Sequence, residues 1–219
     1  MSSTSSKTAS PVSFAQFADT WIPESDAVAN ARERAREFGI TSVSPATSRF
    51  LTFLASSLQA QAVVEVGTGT GVSGVALLEG MTPGGMLTSI DTEAEYQRHA
   101  REALQESGHE ASRARLIAGR ALDVLPRMSD GAYDVVVVDA DRSEYPAILS
   151  QAKRLLRIGG VVAFVGVGED DMVADPSRRD PEATAVKELA GELRGDSDWS
   201  ASPLIEGDGM LVACLLRRD

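Results

Sequence analysis

The stretch Ala62-Val63-Val64-Glu65-Val66-Gly67-Thr68-Gly69-Thr70-Gly71-Val72-Ser73-Gly74-Val75-Ala76-Leu77-Leu78 constrains the fold more than any other part of the chain. Its apolar, β-branched run reads as a buried strand, the glycines interrupt it, and apolar residues at helical spacing follow. The unit is a strand, a tight turn and a helix. Gly67, Gly69 and Gly71 permit positive φ and a close approach of backbone to ligand. The first helical turn offers unpaired N–H groups to a negative group. A small anionic or nucleoside ligand is expected there.

Spacing narrows that choice. A dinucleotide fingerprint has G-x-G-x-x-G, whereas this turn is Gly67-x-Gly69-x-Gly71 with an acid, Glu65, near the end of its strand. A second strand, Met86 to Ile90, closes at Asp91, about twenty residues on, where a ribose-binding carboxylate belongs. Both features suit a nucleoside without phosphate.

From Val63 onward strand and helix alternate, the signature of a parallel sheet covered on both faces. Strands are expected over Ala62–Val66, Met86–Asp91, Arg115–Ala118, Tyr133–Asp139 and Val161–Val165. Helices are expected to about Gly80, over Glu93–Ser107 and Ala121–Met128, and from about Tyr145 to Arg157. The valine run of Tyr133–Asp139 is the most apolar and reads as central. Ser202–Ile205 and Met210–Leu216 flank Glu206-Gly207-Asp208-Gly209, an Asp-Gly turn signal, and form an antiparallel hairpin. The fold class is therefore α/β: a Rossmann-like doubly wound sheet of seven mostly parallel strands, with helices on both faces and an antiparallel C-terminal hairpin.

Before the sheet, residues 1–12 read as a disordered tail and 13–60 as helices packing on a core that spans 61–219, in a single domain overall. Phe14–Ile22 is a short helix. Pro23-Glu24-Ser25-Asp26 opens a second, which continues over Ala27–Phe38 and stops at Gly39. Ser44 caps a third, with Pro45 in its first turn and Phe50, Leu51, Phe53, Leu54 and Leu58 as its buried stripe.

Charge and cysteine usage exclude several classes. Lys and Arg total 21 against 32 Asp and Glu, a net charge of −11, which argues against a general nucleic-acid or anionic-membrane binder. No apolar stretch approaches the roughly twenty residues that span a bilayer. The single Cys214 lies in an apolar run and reads as a buried small hydrophobe; it leaves no intramolecular disulfide and fits a cytoplasmic location.

At Glu65-Val66-Gly67-Thr68-Gly69-Thr70-Gly71 the chain resembles the class I S-adenosylmethionine-dependent methyltransferases. At Tyr133-Asp134-Val135-Val136-Val137-Val138-Asp139-Ala140-Asp141-Arg142-Ser143-Glu144-Tyr145 it resembles the small bacterial O-methyltransferases related to catechol and caffeoyl-CoA O-methyltransferases. Val43-Ser44-Pro45, Gly119-Arg120-Ala121-Leu122-Asp123-Val124-Leu125-Pro126 and Leu155-Leu156-Arg157-Ile158-Gly159-Gly160 extend the match. The resemblance implies a homodimer and an S-adenosylmethionine site that yields S-adenosylhomocysteine. In it Glu65, Gly67, Thr68, Gly71 and Ser73 surround the methionyl end and Asp91 takes the ribose hydroxyls. Ala121 and Leu122 edge the adenine, Thr41 and Val43 close over the cofactor, and Asp139 faces the transferring methyl group.

Two departures stand out. Where the family has its catalytic lysine, this chain has Arg142, a poor proton acceptor at neutral pH. Where the family ends its fifth strand in Asp-Asn and completes a divalent-metal site, this chain has Val165-Gly166, without a side-chain oxygen. No family-type metal is expected, although Glu169-Asp170-Asp171 stand downstream as a possible substitute. The catalytic candidates are then Asp139, Asp141 and Arg142, with Arg142 holding an ionised acceptor, which favours a small phenolic or acidic molecule. The loop through Asp175-Pro176-Ser177-Arg178-Arg179-Asp180-Pro181 reads as a mobile cover, its arginines more readily paired with neighbouring acids than with substrate. His99 and His109 read as solvated, and Trp21 and Trp199 as packing residues. Two other functions fit the same turn: a cofactor-binding protein without transfer chemistry, and a nicotinamide-dependent oxidoreductase.

Overall fold

The computed structural model describes residues 13–168, 173–205 and 207–218. The tail at 1–12, the acids Glu169-Asp170-Asp171, Met172 and Glu206 lie outside the described residues.

Three helices come first, α1 (Phe14–Thr20), α2 (Asp26–Glu37) and α3 (Pro45–Ser57). Each starts on an extended serine whose hydroxyl accepts the backbone N–H three residues on: Ser13 from Gln16, Ser25 from Val28, Ser44 from Thr47. Such caps satisfy one of the orphan donors of a first turn. Pro45 sits in the first turn of α3 as expected, but Ser25, not Pro23, opens α2.

The remainder runs β1 (Ala62–Val66), α4 (Val72–Gly80), β2 (Met86–Asp91), α5 (Ala94–Glu106), β3 (Ala114–Ala118), α6 (Ala121–Val124), β4 (Tyr133–Val138), α7 (Tyr145–Leu155), β5 (Leu156–Val165), α8 (Pro181–Gly195), β6 (Trp199–Leu204) and β7 (Met210–Leu215). The sheet order is β3-β2-β1-β4-β5-β7-β6, with β1 to β5 parallel and β7 antiparallel to both neighbours. Strand order reverses between β1 and β4, which opens a crevice at their carboxyl ends.

β4 is central, and its valines explain why both faces are covered. Val136 and Val138 join a cluster with Ile148, Leu155, Val186 and Leu189 of α7 and α8. Val135 and Val137 point the other way, toward Leu51, Val75 and Leu77 of α3 and α4. Each such side chain, fully buried, contributes roughly 1.5–3 kcal/mol. A strand buried on both sides loses its polar alternation, hence the unbroken valine run.

Several expectations are corrected. His99 is buried, its ring 4.3 Å from that of Phe38, because α2 lies across α5 and covers a face that would otherwise meet water. His109 is half-buried against Arg113 rather than solvated. Phe53 is 66 % exposed, leaving Leu51 as the fully buried member of the α3 stripe, and Trp21 is 64 % exposed beside Phe17. Trp199 does pack, inside β6. Cys214 is only half-buried, since its partner strand β6 is a largely exposed edge. β5 begins at Leu156, paired with Tyr133, and takes up Gly159-Gly160 as an irregularity before Val161 pairs with Val135. Helix α8, not anticipated, starts at Asp180, whose carboxylate accepts the Ala183 N–H. Among the described residues no helix is long and apolar enough to cross a membrane.

At the opposite end of the sheet from the crevice, Asp134 staples three segments. Its Oδ2 accepts the N–H groups of Gln61 and Ala62, and its Oδ1 accepts Arg157 Nε at 2.6 Å. Burial would raise its pKa, but these bonds hold it below the ordinary carboxylate value. Replacing Asp134 with Ala is expected to cost about 1–3 kcal/mol in urea unfolding at pH 7. The carboxylate's contribution is present above its unfolded pKa and lost as pH falls through its lower folded value, so the gap between wild type and variant should close in acid.

Candidate functional site

The site is built where β1, β2 and β4 end. Asp139 N–H donates to the Val66 carbonyl at 2.8 Å, so β1 and β4 stay tied to their last residues. The chain then turns over β4 at Gly67, whose φ is +97° and where a Cβ would lie 1.9 Å from the Asp139 carbonyl oxygen. Only glycine fits. Gly71, at φ +92°, caps α4 and presses on Ala100 of α5.

Asp91 closes the turn from β2. Its Oδ2 accepts Thr68 N–H at 2.9 Å and Gly69 N–H at 3.0 Å, and its Oδ1 accepts Glu93 N–H. A carboxylate has about four acceptor positions; these three bonds leave one, on Oδ1, for a further donor. Beneath the turn Thr68 Oγ1 meets Ser89 Oγ at 2.6 Å, and Ser89 donates to Glu65 Oε2 at 2.5 Å.

Two cavities meet at this turn. The smaller, about 120 Å³, lies between the glycine loop and Thr41, Ser42 and Val43, with Ser73 in its wall. The larger, about 500 Å³, runs past Gly119, Ala121 and Asp141. Gly67, Asp91, Tyr96 and Asp139 line both. The structure thus brings Thr41, Val43, Gly67, Thr68, Ser73, Asp91, Ala121, Asp139 and Asp141 around one cleft. Glu65 and Gly71 stand behind it, and Leu122 turns into the core. Sequence reasoning passed over Ile40, Tyr96 and Arg120. Tyr96 lies in the first turn of α5, and its rotation toward the cleft has no local signal. Arg120 forms a 2.8 Å ion pair with Glu144 at the cleft edge.

The catalytic candidates part company. Asp139 sits on both cavities, whereas Asp141 is exposed and accepts both the hydroxyl and the N–H of Ser143, which hold its pKa low. Arg142 lines neither: its Nε donates to the Gly166 carbonyl at 3.0 Å and its Nη1 lies 3.3 Å from Glu182 of α8. A Cβ on Gly166 would come within 2.6 Å of the guanidinium. Among the described residues, no group of three His, Cys, Asp or Glu side chains gathers around a cation-sized space. In the loop before α8, Arg178 pairs with Asp180, and Lys187 donates to the carbonyls of Asp175 and Arg178.

With this geometry in view, a family model described as O-methyltransferase matches residues 25–217. The chain belongs to the O-methyltransferase family. A relative from Mycobacteroides abscessus, provisionally named an O-methyltransferase, is 44% identical over 211 residues, 96% of this chain and 98% of that one. A Mycobacterium tuberculosis relative with the same provisional name is 44% identical over 192 residues, 88% and 86% of the two chains. Among solved structures, the O-methyltransferase TomG of Streptomyces achromogenes, involved in tomaymycin synthesis and crystallised with S-adenosylmethionine, superposes with a TM-score of 0.84 at 30% identity. That match covers 92% of this chain and 95% of TomG. Family membership sets aside the nicotinamide-dependent alternative.

Glu65 is the electrostatic anomaly of the site. It is buried under α4, and burial pushes its carboxyl up to about 7, with Asp139 and Asp91 adding to the rise and the Ser73 and Ser89 hydroxyls opposing it. Between an unfolded value near 4.5 and about 7, the folded protein keeps a proton that the unfolded chain has released. Stability therefore falls as pH rises through that window and then levels. The neutral Glu65→Gln variant should lack this decline, so its stability relative to wild type should rise by on the order of 2–3 kcal/mol between pH 5 and pH 8. Urea unfolding at pH 5 and pH 8 checks it; parallel pH slopes for the two proteins would count against a protonated Glu65.

Proposed function

We propose that the protein transfers a methyl group from S-adenosylmethionine to a hydroxyl of a small apolar, phenol-like molecule, without a divalent metal. The observation that carries the cofactor reading is the pair of cavities sharing Asp91 and Asp139, sized for the two ends of a nucleoside attached to an amino acid. The S-adenosylmethionine bound to TomG, on the same fold at 30% identity, supports it. The bound cofactor supplies an electrophilic methyl on a sulfonium; the C–S bond breaks as the C–O bond forms, and the hydroxyl proton passes to a base.

The chain's own residues have limited work to do in such a displacement, where alignment lowers much of the barrier. Asp91 orients the ribose hydroxyls, while Thr68, Ser73, Thr41 and Val43 enclose the methionyl end. Ala121 borders the adenine. Asp139 receives the acceptor proton, since Asp141 is held in its ionised form by Ser143 and is the weaker base. Arg142 contributes a fixed positive charge behind the acceptor.

The residues at the end of β5 do not fit the family's metal. Val165 is buried and paired with Met210, and the Arg142 guanidinium covers Gly166, so a cation already stands beside the missing ligands. A further cavity of about 580 Å³, at the same end of the sheet between Val167 and the β6–β7 hairpin, supports an apolar acceptor. Its described walls include Val167, Val173, Leu204 and Met210 and carry no Lys or Arg, which favours an uncharged phenol over an acid. The exposed aromatic surface of Phe14, Phe17, Trp21 and Phe53 supports a homodimer, and the single cysteine of the sequence fits a cytoplasmic location.

Calorimetry with S-adenosylhomocysteine should give saturable binding that Asp91→Ala weakens about tenfold or more. Methyl transfer to a panel of phenols should persist in excess chelator. Turnover abolished by chelator and restored by magnesium would reverse the metal-free reading, and binding without transfer to any acceptor would favour a cofactor-binding protein.

A further inference from the structure

The segment between α2 and α3 is a strap over the cofactor cleft: Ile40, Thr41, Ser42 and Val43 all line the smaller cavity. It belongs to no helix or strand; the Ala35 carbonyl accepts the Ile40 N–H at 2.8 Å at its start, and side chains hold the residues that follow. On one side Arg32, almost wholly buried, bonds Ser42 Oγ and the Val43 carbonyl and is itself fixed by Glu24 at 2.6 Å. On the other side the clamp comes from the far end of the chain. Asp208, in the β6–β7 turn, accepts the Ser44 N–H at 2.7 Å through Oδ2, and its own N–H donates to Thr47 Oγ1 at 3.2 Å.

The turn is shaped for this contact. Gly207 has φ +64°, and a Cβ there would lie 2.3 Å from Thr47 Oγ1 and 2.6 Å from Ser44 Oγ. Behind it, Gly209 passes so close to Gly168 that a Cβ would lie 2.7 Å from the Gly168 Cα, and the Gly209 carbonyl accepts the Val167 N–H. The turn is therefore wedged between the end of β5 and the start of α3. Helix α3 does not need Asp208 as a cap, because Ser44 Oγ already accepts the Thr47 N–H. What Asp208 fixes is the last peptide of the strap.

We propose that Asp208 is a positioning residue for the cofactor site, holding the strap of residues 40–44 closed over the cleft from the C-terminal hairpin. The inference rests on the reading that S-adenosylmethionine occupies this cleft. A strap released from Asp208 samples open positions, and the bound state must then restore its order, so affinity falls.

The test measures the dissociation constant of S-adenosylhomocysteine by calorimetry, alongside Tm, for the full chain. Asp208→Ala should weaken binding about tenfold, as expected for losing a charge-assisted hydrogen bond. Asp208→Asn, which keeps an acceptor oxygen, should stay within about threefold of wild type. Asp134→Ala, which removes a comparable carboxylate staple at the other end of the sheet, should lower Tm and leave affinity unchanged. If Asp208→Ala lowers Tm but binds like wild type, or if Asn is as weak as Ala, the proposal is overturned. Should the Ala variant not fold, Thr47→Val removes the reciprocal bond; its affinity should fall about threefold, and an unchanged value overturns the proposal. Wild-type protein that fails to bind S-adenosylhomocysteine would instead overturn the cofactor reading itself.

Discussion

The passage of Gly67 over the carbonyl of Asp139 is the contact on which the site depends. Because β1 and β4 stay hydrogen-bonded to their ends, the backbone leaving β1 has no space for a side chain above β4. That one steric fact aims the Thr68 and Gly69 N–H groups at Asp91, seats Thr68 on Ser89, and starts α4 at Gly71 hard against α5. The cleft is what remains on the open side of the turn. Its floor is the carboxyl ends of three strands, and each contributes an acid. Glu65 lies under α4 and is pushed toward its neutral form, while Asp91 and Asp139 face the opening. Burial thus separates three carboxyls at one end of the sheet: the one beneath the turn is pushed up, by desolvation first and by Asp139 and Asp91 second, while the other two face the opening.

How much of this was legible depended on whether the cause was local. β1 and β2 were placed to the residue, since a β-branched run ending in glycine or acid carries its own boundaries. The central position of β4 followed from its valines, because only a strand covered on both faces can afford no polar alternation. The C-terminal hairpin followed from Asp208-Gly209, and the start of α3 from Ser44 and Pro45; Ser13 and Ser25 cap α1 and α2 in the same way, although Pro23 stands as the more conspicuous start signal for α2. The failures have the opposite character. His99 looked solvated because nothing near it in sequence says that α2 will cross α5. Phe53 and Trp21 looked buried because helical spacing identifies an apolar residue but not whether a neighbour reaches it.

In the site the same division holds. Glycines and strand-end acids announce themselves, since backbone geometry and strand polarity fix where they stand. Tyr96 does not, and neither do the two clamps on the strap: Arg32 reaches Ser42 and Val43 across the loop that ends α2, and Asp208 reaches Ser44 from the far end of the chain. Helix α8 is a milder case: Asp180, Pro181 and Glu182 form an ordinary helix start, overlooked because the preceding loop drew the reading toward a lid.

The two departures at the ends of β4 and β5 become one departure in space. Arg142 and Gly166 lie 24 residues apart, yet the guanidinium rests on the glycine, bonding its carbonyl and reaching Glu182 beyond. A side chain at 166 would have to displace the guanidinium, and the bonds to the carbonyl and to α8 would be lost with it. Conversely, a glycine here without the arginine would leave a hollow at the end of β5. An arginine after Asp-Ala-Asp and a glycine after Val165 are therefore a single adjustment: the side chain that fills the end of β5 comes from the end of β4 and brings a permanent positive charge with it.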